Sequence, residues 1–137
     1  MRLFLGMPAK AIWGVLVALL MGCDERERLT FETDPEDRVG PTSHIDPPAL
    51  DTTLTEGDTF IIGARTVDSS GVDTVYIEVE GANLSYLPLA AGGVDTFNFA
   101  LSFPTIGLSG RTVTLEVFGV DVIGNVGPTV SRRLTIQ

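Results

Sequence analysis

Residues 95 to 103 read Asp-Thr-Phe-Asn-Phe-Ala-Leu-Ser-Phe (DTFNFALSF). Large apolar residues occupy every second place: Phe97, Phe99, Leu101 and Phe103. Between them stand Thr96, Asn98, Ala100 and Ser102. A period of two belongs to a strand, whose successive side chains point to opposite faces; a helix would need a period of 3.6. The stretch therefore predicts a strand with an aromatic inward face. Phe99 is expected at the centre of the core and Asn98 in water.

The same texture extends in both directions. Val72 to Glu80 (VDTVYIEVE) alternates with Val75, Ile77 and Val79 inward and Thr74, Tyr76, Glu78 and Glu80 outward. Thr59 to Val67 puts Phe60, Ile62, Ala64 and Thr66 on one face and Arg65 on the other. Thr112 to Asp121 aligns Val113, Leu115, Val117 and Gly119, and Thr129 to Ile136 aligns Val130, Leu134 and Ile136. Leu84 to Leu89 predicts a weaker strand, and its Pro88 suits a sheet edge. A first strand is expected within Ala49 to Thr55. Turn clusters separate these runs at Asp68–Gly71, Gly81–Asn83, Ala90–Gly93, Pro104–Gly110 and Ile123–Gly127. Seven short strands in residues 46–137 predict an all-β protein, an immunoglobulin-like β-sandwich.

The N-terminus has a different character. Arg2 and Lys10 precede an uncharged run, Ala11 to Met21 (AIWGVLVALLM), and the charged run DERER begins at Asp24. A basic start, a short apolar stretch and a small residue before a cut describe a secretory signal peptide. Eleven apolar residues are few for a membrane span, which needs about 20. Asp24 to Ile45 is mostly polar, carries two prolines and shows no sustained apolar period. It is expected to be a flexible tether reaching about 73 Å when extended, with His44 as a solvated residue near its end. The expected organisation is thus 1–22 signal peptide, 23–45 modified N-terminus and acidic tether, and 46–137 the β-sandwich.

Two resemblances carry this further. Leu20-Met21-Gly22-Cys23 resembles the lipobox of bacterial lipoproteins. The resemblance implies cleavage after Gly22 and diacylation of Cys23, the only cysteine in the chain. Two acyl chains anchor stably where one binds marginally. It places the domain on the extracytoplasmic side of a bacterial envelope membrane, held through the lipid on Cys23. Met21 is an unusual choice at its place in the pattern. Asp68-Ser-Ser-Gly71-Val72, with Val75 and Ile77, resembles a stretch of bacterial Ig-like domains, and so does Val113 to Asn125 (VTLEVFGVDVIGN). Together these imply that fold over residues 46–137. Val113 stands where the family carries a corner tyrosine, and no pair of cysteines joins the sheets. The domain must therefore hold by packing alone.

Composition excludes several functions. Eighteen acidic residues against nine basic ones give a net charge of −9. Loss of Arg2 and Lys10 with the signal peptide takes it to −11. Such a body repels nucleic acid, whose phosphates need a basic face. With one His and one Cys, multi-histidine and cysteine zinc sites are excluded. Lys10 is the only lysine, so the mature chain has neither a Ser-Lys dyad nor a Schiff base. No Gly-x-Ser-x-Gly elbow accompanies the single His. No catalytic residue is assigned and the chain is not expected to be an enzyme.

The expected function is a membrane-tethered envelope lipoprotein whose Ig-like domain binds a protein or glycan, or acts as a spacer. The alternatives are a calcium-dependent adhesive or carbohydrate-binding module, and an accessory subunit docking through an open sheet edge. No cofactor is expected apart from Ca²⁺. In an Ig-like topology the loops carrying Asp68, Asp121 and Asn125 share one end, and the first strand enters there with Asp46. Three carboxylates and an amide make the oxygen-rich set that Ca²⁺ takes. The plainer expectation is that Asp68 and Asn125 close their turns through backbone hydrogen bonds.

Overall fold

The computed structural model describes residues 37–137. The expected signal peptide, Cys23 and the first part of the expected tether lie outside the described residues.

Six strands and no helix make up the described chain: β1 Thr42–Ile45, β2 Thr52–Leu54, β3 Thr59–Glu80, β4 Leu89–Pro104, β5 Thr112–Asp121 and β6 Val130–Ile136. One layer consists of β1, the first half of β3 and the second half of β4, all antiparallel. The other runs β2, β6, β5 and the second half of β3, with the start of β4 on its outer edge. Within it β2 runs parallel to β6 and the other pairs are antiparallel. Because β3 and β4 serve both layers, the hydrogen-bonded ladder is continuous and the sheet curls over itself. β1 packs face to face on β5 and β6. The chain folds as an immunoglobulin-like β-sandwich.

The long β3 joins two strands expected to be separate. Its inward residues are even-numbered from Phe60 to Ser70 and odd-numbered from Val75 to Val79. The parity changes where the register slips between Val67, Val72 and Thr74. An extra residue in one strand bends it and turns its side chains over. Gly71 sits at the bend with φ 96°, a left-handed value that favours glycine. A Cβ there would lie 2.6 Å from the Gly93 carbonyl oxygen, so the bends of β3 and β4 nest backbone against backbone. The expected turn at Asp68–Gly71 is therefore a bulged corner inside a strand. Ala90–Gly93, also expected as a turn, lies within β4.

Two further expectations need correction. Thr42–Ile45, expected in the tether, forms β1 on β3, with Ser43 and Ile45 buried. Four alternating residues among prolines and charges are too few to show a period, and the strand forms because β3 offers it a partner. His44 is exposed, but on the outer face of a strand and opposite Arg65. Conversely, Leu84–Pro88 forms no strand. Pro88 lacks the N–H a ladder needs, and the segment is fastened differently: the Tyr86 hydroxyl donates to the Ser102 carbonyl at 2.7 Å.

The core gathers Ile45, Ile62, Val72, Val75, Phe103, Val113, Leu115, Val117, Leu134 and Ile136, all at most 2% exposed. Val113, the residue at the missing-tyrosine position, is fully buried. The alternation expected for β4 holds, but its centre is displaced. Phe103 is fully enclosed, whereas Phe97 and Phe99 are half-buried and stack on each other at 5.7 Å. β4 has one ladder neighbour, so its inward face stays open until the following corner closes it. That corner brings in Leu108 and Thr105, whose hydroxyl donates to the Thr55 and Asp58 carbonyls. At the opposite seam the Arg132 guanidinium reaches the carbonyls of Pro48 and Ile45 and ties the crossover from β1 to β2 onto β6.

Candidate functional site

The end of the sandwich where the described chain enters holds the 67–72 corner, the 93–96 bend of β4 and the 121–127 hairpin. Three carboxylates meet there. Ligand atoms of Asp37, Asp68 and Asp121 all lie within 4.8 Å of one another. Asp68 closes the β3 corner by accepting the Ser70 N–H at 2.7 Å. Asp121 ends β5, and its Oδ1 accepts the N–H groups of Ile123 and Asn125, both at 2.8 Å. Its Oδ2 accepts the Asn125 side-chain amide at 2.7 Å. Asp37 accepts the Val39 N–H at 2.9 Å and the Ser70 hydroxyl. The Asn125 amide also donates to the Asp37 carbonyl at 3.1 Å. The knot thus ties the entering segment, the β3 corner and the hairpin together.

Of the four residues expected to converge, Asp68, Asp121 and Asn125 do. Asp46 does not. It follows the far end of β1, where its N–H bonds the Gly63 carbonyl at 2.8 Å. Four residues separate it from Thr42, about 13 Å of strand. The first strand does enter at the acidic end, but at Thr42, and so it delivers Asp37. Asp37 lay in the stretch read as tether, and only the pairing of β1 with β3 marks its place.

The carboxylates differ in their titration. Burial pushes the Asp68 carboxyl above its ordinary value; the Ser70 N–H opposes this, and the charges of Asp121, Asp37 and Asp95 reinforce it. Asp37 is held below the ordinary value, chiefly by the Ser70 hydroxyl and then by the Val39 N–H. The consequences for stability have opposite sign. Ionising Asp68 costs stability as pH rises through its raised folded value, and the cost is absent below the unfolded value. Asp37 adds stability above its unfolded value, and this is lost as pH falls through its lowered folded one. Near neutral pH, Asp68 is therefore the strained member. Asp68→Asn keeps an oxygen for Ser70 and removes the charge. It is expected to raise the melting temperature at pH 7 and to do so less as the pH is lowered toward 4; an equal gain at both would rule out charge as the cause.

Chemically, three carboxylates in this space form an oxygen-rich set able to hold a hard cation. They also serve as turn closures, and Asp121 already accepts three donors.

A second feature lies on the outer face of the β1–β3–β4 layer. His44, Arg65 and Asn98 stand directly opposite one another in register, and all are exposed. A cleft of about 450 Å³ borders this row on the side of Asp46, and one of about 630 Å³ borders it toward Ser69. Sequence reasoning placed Arg65 outward but gave no reason to join it to His44.

No protein-family model matches this chain, and neither does any curated protein. Solved structures do resemble it. The SrpA adhesin of Streptococcus sanguinis, crystallised as a point mutant, aligns with a TM-score of 0.52 at 16% identity. The alignment covers 74% of this chain and 57% of that one. The sialic acid binding region of the Streptococcus sanguinis SK1 adhesin, bound to 3'sLn, aligns with a TM-score of 0.52 at 18% identity, over 74% of this chain and 30% of that one. The fibronectin(III)-like modules of Clostridium thermocellum CbhA align at 0.44 and 10% identity, over 70% and 96%. The adhesin alignments agree with the sandwich fold. This chain spans less than two thirds of the length of either adhesin chain.

Proposed function

We propose that this chain is a lipid-anchored envelope lipoprotein whose Ig-like domain is a non-enzymatic binding or spacer module outside the cytoplasm. The observation that carries the anchor is Leu20-Met21-Gly22-Cys23, the only cysteine standing directly after an apolar run. The large negative charge supports it, because a body of −11 keeps away from an anionic leaflet and needs a lipid to hold it there. Cys23→Ser is expected to abolish incorporation of labelled fatty acid or glycerol and to leave no acylated membrane-bound form. Equal labelling of the variant and the wild type would sink the anchor.

A second reading, a calcium-dependent adhesive or carbohydrate-binding module, is favoured by the convergence of Asp37, Asp68 and Asp121. Likeness to two adhesin structures, one named for sialic acid binding, supports the carbohydrate part. Extracellular calcium modules bind at about 10⁻⁴–10⁻³ M. At 5 mM Ca²⁺ such a site stabilises the folded state by about 1–2 kcal/mol, a rise on the order of 5–10 °C for a domain of this size. The expected result is a rise in the full chain that Asp121→Asn and Asp68→Asn both remove. Asp58→Asn, at the other end of the sandwich, should keep it. Asp95 is unsuitable as a control, since its charge reaches Asp68. Absence of any calcium-dependent rise leaves the three carboxylates as turn closures.

A further inference from the structure

We infer that the groove across the outer face of the β1–β3–β4 layer is a binding site for a saccharide carrying a carboxylate, with Arg65 as its anchor. This rests on the carbohydrate reading above and gives it a location. His44 and Arg65 line both clefts, which adjoin along the row His44–Arg65–Asn98, and the cleft on the Asp46 side also takes in Val130 and Arg132 of β6. One wall is built by the backbone. Asp46–Pro47 folds over Gly63, where a Cβ would come within 2.8 Å of the Asp46 carbonyl oxygen. Gly63 also faces Ala100 across the ladder, so the smallest pair of the layer lies next to Arg65.

The charge pattern selects the ligand class. Arg65 makes no hydrogen bond or ion pair with any described residue, although acids outnumber bases two to one in this chain. With no partner among the described residues, its guanidinium can take a carboxylate through two parallel N–H bonds. Asn98 stands beside it with a side-chain amide, and Thr42, Ser69 and Thr96 add hydroxyls along the groove. Asp37 lies at one end; at the other, Asp46 stands with Arg132, whose guanidinium reaches the Pro48 and Ile45 carbonyls. A polyanion such as a phosphodiester would meet repulsion at the Asp37 end. An acidic sugar would not, because it places one carboxylate at Arg65 and offers hydroxyl donors to the flanking carboxylates.

The test is calorimetric titration of the full chain with millimolar 3'-sialyllactose, trigalacturonic acid and lactose. The expected result is binding of at least one acidic saccharide and none of lactose. Arg65→Gln is expected to weaken that binding at least ten-fold, while Arg133→Gln, an exposed arginine on the other layer, leaves it unchanged. Acidic-saccharide binding that survives Arg65→Gln would overturn the location and leave the carbohydrate reading standing. Lactose binding as tight as that of the acidic saccharides would overturn the carboxylate requirement. Failure of all three to bind would remove the carbohydrate reading together with the site.

Discussion

Phe103→Ala is expected to be the most damaging core substitution in the domain. Phe103 is fully enclosed and is the largest of the fully buried side chains. Emptying such a site costs the lost transfer energy plus a cavity, about 3–5 kcal/mol. A small domain has roughly 5–15 kcal/mol to lose. No disulfide can offset the loss, because the chain holds a single cysteine. Thermal unfolding should therefore drop on the order of 15–30 °C, taking about 4–8 °C per kcal/mol at this size. Phe99→Ala should cost visibly less, since Phe99 is half-buried on the open part of the same strand face, and Asn98→Ala should change little. A larger loss at Phe99 than at Phe103 would mean that the closed end of the core is misplaced.

The second large effect is expected from a single methyl group. At Gly127 a Cβ would fall 1.8 Å from the Pro41 carbonyl oxygen and 2.8 Å from its carbon. Across the same crossing, a Cβ on Gly40 would lie 2.3 Å from the Val126 carbonyl carbon. Both neighbours are backbone, so no rotamer change relieves the overlap; the entering segment must lift off the hairpin. With it go the Asn125 bond to the Asp37 carbonyl and the Ser70 bond to the Asp37 carboxylate. Gly127→Ala should exceed the 1–3 kcal/mol typical of overpacking, which is about what interior side chains can absorb by shifting. Two readouts check it. The melting temperature should fall well below that of Gly107→Ala, which meets nothing within 4 Å and bears only its positive φ, about 1–2 kcal/mol. Trypsin should also cut faster after Arg38. Equal stability of the two variants, with Arg38 still protected, would show that the crossing can spread.

Much of the architecture is legible in the sequence. The inward faces read for residues 60–66, 75–79, 113–119 and 130–136 are the faces that point inward. Even the change of parity inside β3 was present in the alternation on either side of Gly71. Locally it reads as two strands, because a polar cluster such as Asp-Ser-Ser-Gly closes a turn and pads a bulge with the same residues. The gap between those readings is not local. It depends on Gly93 lying across Gly71, a contact between residues far apart in the chain. The same holds for β1, whose four residues carry too little pattern to stand out until β3 is beside them. The run itself favours Phe99 over Phe103, because the middle of a run looks most central. Burial instead follows which part of the strand another segment covers, and that is decided by Thr105 and Leu108.

The candidate site divides in the same way. Asp68, Asp121 and Asn125 sit in turns whose place at one end follows from strand order, so the sequence sufficed to group them. Asp37 joined them, and Asp46 left, because the chain enters the sandwich earlier than its composition suggested. By itself the sequence determined the class of fold, the alternation of each long strand and the charge of the chain. These rest on short-range rules: side-chain period, turn chemistry and residue count. Only the tertiary structure decided which end of β4 is sealed, which aspartate completes the acidic knot and that His44, Arg65 and Asn98 form one row. Each of those depends on strands paired across long stretches of chain, where the closing of loops and the fit of backbones, rather than any local preference, select the partner.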